Sequence, residues 1–491
     1  MAASEGVPYA KTGGLADVVT ALAMELLRLG HHVTLLLPGY RGQAAQNARR
    51  VIMRFSISVA GRNAEVSVEE EVLPVTEASH PLRVFLVRYD PYFDRPGLYQ
   101  EDHHDYPDNL DRFTLFCRAV LHVLRTLTKL HGETVDVLHL HDWQTALCSV
   151  YLKVLPDEYD GLQKIKTLLT VHNLAYQGIF PAEEFDKTGF PPALFSPSAL
   201  EFYGSINCLK GGIIYSDAVS TVSPTYAKEI ITPEYGCGLE GVLSGRIDGV
   251  RGITNGIDTI TWDPEHDSYL PARYTTADLT GKHVCKRALQ NEFGLPNLEV
   301  PVLGVIGRLT FQKGFDLLLE IIPELMVLDL QIVFLGVGEY DLEQQLKTVQ
   351  SEYPGKIGVH SGFDEGVAHR IEAGANMLIM PSRYEPCGLS QLYSLRYGTV
   401  PIVRRTGGLA DTVVSYRPSS IKSKSATGFQ FIDASSDALL CTVMLALHVY
   451  QDDDTWSSII KSGMSTDLSW KRSAGQYTIL YRAIERDKRR V

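Results

Sequence analysis

Three things are scarce in this 491-residue chain, and each scarcity excludes something. No apolar run approaches the roughly 18 residues that a membrane-crossing helix needs, so no membrane partner is expected. Positive charge is in deficit. Forty-six Lys and Arg face 58 Asp and Glu, for a formal charge of −12. No block of basic residues interrupts that balance, so the electrostatic footprint of a nucleic-acid binder is missing. Cysteines are few, odd in number and scattered: Cys117, Cys148, Cys208, Cys237, Cys285, Cys387 and Cys441, with no C-x-x-C pair. That excludes a zinc framework and a disulfide scaffold, and it fits a reducing compartment. What is present is ordinary globular material, 45% apolar and 21% charged. It is longer than one hydrophobic core usually organises, so two domains are expected, and an enzyme is the expected class.

Short apolar strands alternate with amphipathic helical stretches, the pattern of α/β layers around parallel sheets. Leu15, Val18, Val19, Leu22, Leu26 and Leu29 recur at helical spacing, which predicts a helix from Gly14 to Leu29 stopped by Gly30. Strands are predicted at Val33–Leu37, Arg83–Val87, Val135–Leu140, Thr167–Val171 and Ala218–Val222. The pattern restarts at Val302–Ile306, Gln331–Leu335, Met377–Met380 and Val400–Val403. The turn Ile253–Ile257 is the expected linker. A strand should also precede Ser4, and Met1–Ala3 read as the last residues of one whose earlier part is expected upstream. The hexapeptide Thr12–Asp17 recurs letter for letter as Thr406–Asp411, each copy at a loop-to-helix junction, one in each half.

Several residues suit chemistry. Gly13 and Gly14 at a helix start let backbone amides approach an anion, and Lys11 adds a full charge beside them. This is neither a Walker loop nor a dinucleotide fingerprint, because Gly336-x-Gly338 is followed by Asp341 where a third glycine should sit. A nicotinamide dehydrogenase is excluded on that ground. Arg308 ends a strand and Lys313-Gly314 open the next helix, where two cations suit a diphosphate leaving group. His139-Leu140-His141-Asp142-Trp143 and Val171–Tyr176 end two strands with the mixture of His, Asp, Trp and Tyr that a sugar site uses. Their spacing lacks a second compact ligand cluster, so no metal is expected. Glu385 lies just before a helix, where a carboxylate also serves as a favourable N-terminal charge. Asp452–Asp454 reads as a solvated loop.

Nine blocks in order carry a resemblance: Lys11–Asp17, Tyr106–Asn109, His141–Trp143, Val171–Gly178, Ser223–Tyr226, Asn255–Asp258, Arg308–Gly314, Glu385–Leu389 and Arg404–Thr412. Together they resemble the bacterial glycogen synthase and plant starch synthase family, over nearly the whole chain. The resemblance implies an α/β GT-B architecture of two facing Rossmann-like domains with an inter-domain active-site cleft. An acceptor-side domain would span 1–252, with a C-terminal helix of about 468–491 packed back on it, and a nucleotide-sugar domain would span 253–467. It implies a retaining transfer of glucose from ADP-glucose to the non-reducing end of an α-1,4-glucan or maltooligosaccharide, with no cofactor. The alternatives are the same fold using UDP-glucose or another acceptor, and a catalytically silent glucan-binding relative. Glu385, His172, Arg308, Lys313 and Asp142 are the implied catalytic residues. Lys11, Gly13, Gly14, Asp17, Asn255, Phe363, Gly388, Leu389 and Ser390 join Arg308 and Lys313 as donor-site residues, with Phe363 placed to stack on adenine. Glu5, Tyr99, Trp143 and Tyr176 are fainter substrate-lining candidates. The broader retaining superfamily carries a second glutamate eight positions after the first, where this chain has Tyr393. Bacterial cytoplasm or plastid stroma is the implied compartment.

Overall fold

The alternation of buried strands and amphipathic helices resolves into two units in the computed structural model, which describes residues 1–42, 47–102, 104–362 and 364–486. The first comprises Met1–Val222, Ala227–Asn255 and the chain from Trp470 onward. The second comprises Ser223–Tyr226 and Gly256–Ser469.

In the first unit the strands are β1 (Thr34–Pro38), β2 (Arg50–Val59), β3 (Arg62–Leu73), β4 (Leu82–Arg88), β5 (Val137–His141), β6 (Lys166–Val171), β7 (Ala218–Thr221) and β8 (Val250–Gly252). They hydrogen-bond in two runs, β1-β4-β3-β2 and β8-β7-β6-β5. Ala2 joins the runs, pairing in parallel with both Leu36 and Leu140. Its amide donates to the His139 carbonyl at 2.9 Å, and its carbonyl accepts from the His141 amide at 3.2 Å. Met1–Ala3 thus occupy the central strand position that the sequence reading expected before Ser4. The crevice where strand order reverses lies there, between the loop after Ala3 and the loop after β5. Helix α1 (Gly14–Arg28) buries Val18, Val19, Leu22, Ala23, Leu26 and Leu27. The C-terminal helix Trp470–Arg486 packs Trp470, Ala474 and Tyr477 into the same core as Val18, Leu22 and Leu26.

The second unit is one parallel sheet of β9 (Val302–Ile306), β10 (Gln331–Gly336), β11 (Ile357–Ser361), β12 (Met377–Met380), β13 (Val400–Arg404) and β14 (Phe429–Phe431). The spatial order is β11-β10-β9-β12-β13-β14, so the chain reverses direction across the sheet between β9 and β12. Ligands bind at such switch points, beyond the strands' carboxyl ends. These strands read as near-continuous apolar runs because both faces are buried.

Two local readings are corrected. Asp452–Asp454 is not a loop: Asp452 caps the helix Asp453–Met464, its side chain accepting from the Thr455 amide. The hairpin β2–β3, turned at Ala60 and Gly61 with φ of 51° and 72°, was not among the expected strands.

Candidate active site

The second unit assembles its group from three strand ends. After β9, Arg308 is exposed, and a short turn carries Lys313 to Gly314. Gly314 has φ 68°, and a side chain there would overlap the Pro381 carbonyl, so this position needs glycine. After β12, Ser382 and Glu385 are buried. Lys313 Nζ donates to Glu385 Oε2 at 2.5 Å, and the Ser382 hydroxyl donates to the same oxygen at 3.0 Å. The two loops are also stitched together elsewhere. The Arg383 amide donates to the Gln312 carbonyl, and the Arg383 guanidinium makes two 2.7 Å hydrogen bonds to Asp316. Gly388 has φ 70°, and Leu389 precedes helix α3 (Ser390–Tyr397), so the Gly388–Ser390 segment forms the helix start expected of it.

After β13 comes the second copy of the repeated hexapeptide, opening helix α4 (Gly407–Thr412). Its role becomes visible in three dimensions. The Gly408 amide donates to the carbonyls of Glu385 and Pro386 at 3.1 Å. A methyl group on Gly407 would overlap the Glu385 carbonyl, and one on Gly408 would overlap that of Cys387. The glycines let this strand end seat directly beneath the glutamate loop. Asp411 accepts from the Ser223 hydroxyl, from the Thr225 amide at 3.0 Å and from the Thr225 hydroxyl at 2.6 Å.

In the first unit, Glu5 follows the Met1–Ala3 strand and is buried. Its carboxylate accepts from the Thr12 amide at 2.6 Å, the Thr12 hydroxyl at 2.7 Å, the Gly13 amide at 3.3 Å and the Tyr99 hydroxyl at 2.7 Å. Glu5 and Tyr99 therefore brace the glycine loop from within. Lys11 pairs with Asp17 at 2.9 Å, one turn into α1, with both side chains about 30% exposed. Asn255 is buried, and its amide oxygen has no partner among the described residues.

Asp142 follows β5 with φ 58°, a conformation that costs a non-glycine residue energy and is characteristic of functional loops. Its Oδ1 accepts from the His172 amide at 2.7 Å. Burial pushes the carboxyl up to about 7, although backbone N–H groups of His172 and Asn173 oppose the rise. Burial also brings His172 down to about 3, so this imidazole is neutral at physiological pH. Trp143 begins helix α2 (Trp143–Val154), and its ring packs against Phe113, Phe180 and the backbone of Gly178. Tyr176 is half exposed. Phe363 lies outside the described residues.

Sequence reasoning missed Ser382, Gln312 and Asp316. The only linear signal was their place just beyond strand ends. Tyr393 stacks on Trp262 with ring centroids 3.6 Å apart, so the position of the superfamily's second glutamate serves packing in this chain.

Comparison with known proteins identifies the family. Residues 1–245 match the family model of the starch synthase catalytic domain, and residues 287–459 match that of glycosyl transferases group 1. Glycogen synthase 2 of Nitrosococcus oceani is 44% identical, over 98% of this chain and 96% of its own. Glycogen synthase 2 of Geobacter metallireducens is 43% identical over 99% of each. Among solved structures, the catalytic domain of starch synthase IV from Arabidopsis thaliana, bound to ADP and acarbose, superimposes with a TM-score of 0.89 at 33% identity. It covers 99% of this chain and 98% of its own. With two α/β units of the expected GT-B class and full-length relatives of this kind, the chain belongs to the glycogen synthase and starch synthase family of glucosyltransferases.

Proposed function

We propose that this chain transfers glucose from ADP-glucose to the 4-hydroxyl at the non-reducing end of an α-1,4-glucan, with retention of configuration and without a metal. The observation that carries the reading is the cationic crevice at the switch point of the second unit. There Arg308 and Lys313 follow one central strand, and Glu385, following the other, fixes the Lys313 ammonium at 2.5 Å. The starch synthase IV relative bound to ADP supports a nucleoside-diphosphate leaving group, and its acarbose supports a glucan-like acceptor.

In this reading the second unit, which the sequence divides off at 253–467, holds the donor, and the first, 1–252, presents the acceptor. As the glycosidic bond to ADP breaks, negative charge builds on the diphosphate. Fixed cations already aimed at that position stabilise it without reorganising, which is where electrostatic catalysis has its largest effect. With Tyr393 in place of a second carboxylate, no pair of carboxylates flanks the bond as in retaining hydrolases, so a covalent glycosyl intermediate is not invoked. The acceptor hydroxyl attacks from the face that ADP leaves, and positioning does much of the rest. Lys11, Gly13, Gly14 and Asp17 serve the diphosphate side, and Asn255, whose amide oxygen lacks a protein partner, serves the sugar or its nucleotide. His172, Asp142 and Tyr176 line the sugar.

No helix among the described residues is long and apolar enough to cross a membrane. Seven free thiols, five of them buried, support a reducing compartment such as bacterial cytoplasm or plastid stroma.

The test is to incubate the protein with labelled ADP-glucose or UDP-glucose and maltooligosaccharides, with and without EDTA. Extension from ADP-glucose that EDTA does not reduce is expected. Extension from UDP-glucose alone would overturn the donor assignment, and loss of activity in EDTA would overturn the metal-free one.

A further inference from the structure

His141 ends β5 fully buried, and the assigned chemistry does not use it. Its Nδ1 lies 2.9 Å from Nε2 of His172. A hydrogen bond between two imidazole nitrogens needs one protonated partner and one bare one, so whichever tautomer His141 adopts decides that of His172. The second nitrogen of His141, Nε2, is buried and has no hydrogen-bond partner among the described residues. A bare lone pair is less costly to leave unpaired in the interior than an N–H group. The His141 proton therefore sits on Nδ1 and is donated to Nε2 of His172. The proton of His172 is left on its own Nδ1.

The surroundings hold this arrangement in place. The His141 amide donates to the Thr145 hydroxyl at 2.8 Å, and that hydroxyl donates back to the His141 carbonyl at 2.9 Å. Behind His141, the ring of His139 packs with its centroid 4.2 Å away. His139 is itself fixed by the Tyr481 hydroxyl at 2.8 Å on one nitrogen and the Thr170 hydroxyl at 2.6 Å on the other. Burial drives both His139 and His141 well below the usual imidazole range, so the row is uncharged.

We propose that His141 is a positioning residue that holds His172 as its neutral Nδ1–H tautomer, so that His172 meets the sugar as a hydrogen-bond donor to an oxygen and not as a proton acceptor. This rests on the reading above, in which His172 lines the glucose site.

The decisive measurement is the protonation of individual imidazole nitrogens in the full chain. Histidine would be labelled with nitrogen-15, and the His172 signals identified by their loss in His172→Gln. In the unsubstituted protein Nδ1 of His172 is expected to carry the proton, with Nε2 bare. His141→Ala is expected to redistribute that proton and to lower kcat ~10–100-fold, on the scale seen when the partner that orients a metal-bound histidine is removed, with KM for donor and acceptor little changed. His141→Asn places an amide N–H near the lost Nδ1–H and is expected to recover both the tautomer and most of kcat, whereas His141→Leu recovers neither. A proton on Nε2 of His172 in the unsubstituted protein would overturn the proposal whether or not any variant folds. So would an unchanged tautomer, or an unchanged kcat, in His141→Ala. The spectra need no turnover, so failure of the donor assignment would be seen separately, in the extension assay.

Discussion

Lys313 and Glu385 are not equal partners. The Glu385 side chain is 7% exposed and that of Lys313 is 21% exposed. Lys313→Ala leaves a buried carboxylate with the Ser382 hydroxyl as its one remaining side-chain partner among the described residues, and it should cost ~1–3 kcal/mol in urea unfolding. Glu385→Gln leaves an ammonium that can reach water, and it should cost less. Catalysis should respond differently, since in the proposed mechanism each group contributes fixed charge at or beside the leaving diphosphate. Arg308→Ala, Lys313→Ala and Glu385→Ala are each expected to lower turnover by at least about 10²-fold with far-UV circular dichroism unchanged. The Lys313→Ala/Glu385→Ala double variant should lose much less than the product of the two single losses, because the groups act as a unit. Near-normal turnover in any single variant removes that residue from the mechanism. Glu5 makes a different residue-scale claim. Four hydrogen bonds converge on its carboxylate, so Glu5→Gln turns an amide N–H₂ toward donors that already point inward. Amide exchange at Thr12 and Gly13 should accelerate about tenfold or more, a loss of roughly 1.4 kcal/mol of local protection. Unchanged exchange would show that the loop holds itself.

At the scale of elements, the repeated hexapeptide shows what the sequence discloses and what it withholds. Both copies open helices, as the spacing predicts, but identical letters meet different partners. Gly13 lies over a buried carboxylate, while Gly408 lies under a peptide carbonyl. The partner comes from a neighbouring loop in each case, Glu5 in one copy and Glu385 in the other, and the hexapeptide itself carries no signature of it. Gly407→Ala and Gly408→Ala should therefore be severe, because each methyl meets a backbone oxygen that only a shift of the glutamate loop can clear. A cost of ~1–3 kcal/mol is the usual scale for such overpacking. Gly13→Ala, with open space around the added carbon, should be nearly neutral in stability. Comparing midpoints of urea unfolding for the three variants would settle the order. The parallel strands were legible for a related reason: Val302–Ile306 and Met377–Met380 are short apolar runs buried on both faces. The hairpin β2–β3 carries a weaker apolar signal, because Ser and Glu alternate with Val and Ile along it. Phe429–Phe431 is only three residues long, and Ile357–Ser361 is interrupted by glycine. In the site, charged residues at strand ends could be read directly. Their supports could not: Gln312 and Asp316 are chosen by Arg383 from another strand end, and Ser382 by a Glu385 carboxylate that Lys313 holds from another strand end.

On the scale of the whole molecule, each unit has its own buried core, so each should report its own stability. The second unit buries two titratable groups that make this testable. Lys282 donates to the carbonyls of Glu372, Ala373 and Tyr397 and to the Thr399 hydroxyl. Glu372 accepts from the Ser394 hydroxyl on one oxygen, while its other oxygen is unpaired among the described residues. Burial pushes the Glu372 carboxyl up to about 8 and brings the Lys282 ammonium down to about 7. A carboxyl whose folded value is raised binds its proton more tightly in the native state than in the unfolded one. Its contribution is fully present below the ordinary glutamate range and is lost as pH rises through about 8. Lys282 has the opposite sign: its lowered folded value makes stability rise with pH from about 7 toward the ordinary lysine range. Glu372→Gln keeps the shape and the Ser394 hydrogen bond but removes the titration. Its stability relative to the unsubstituted chain should therefore improve steadily from pH 5 to pH 8 and then level off. A gain of at least about 1 kcal/mol would raise the melting transition of a unit this size by ~2–4 °C. Calorimetry across that range should show the shift in the transition of the second unit and not of the first. A pH-independent difference would mean that Glu372 stays ionised in the fold and that Lys282 neutralises it.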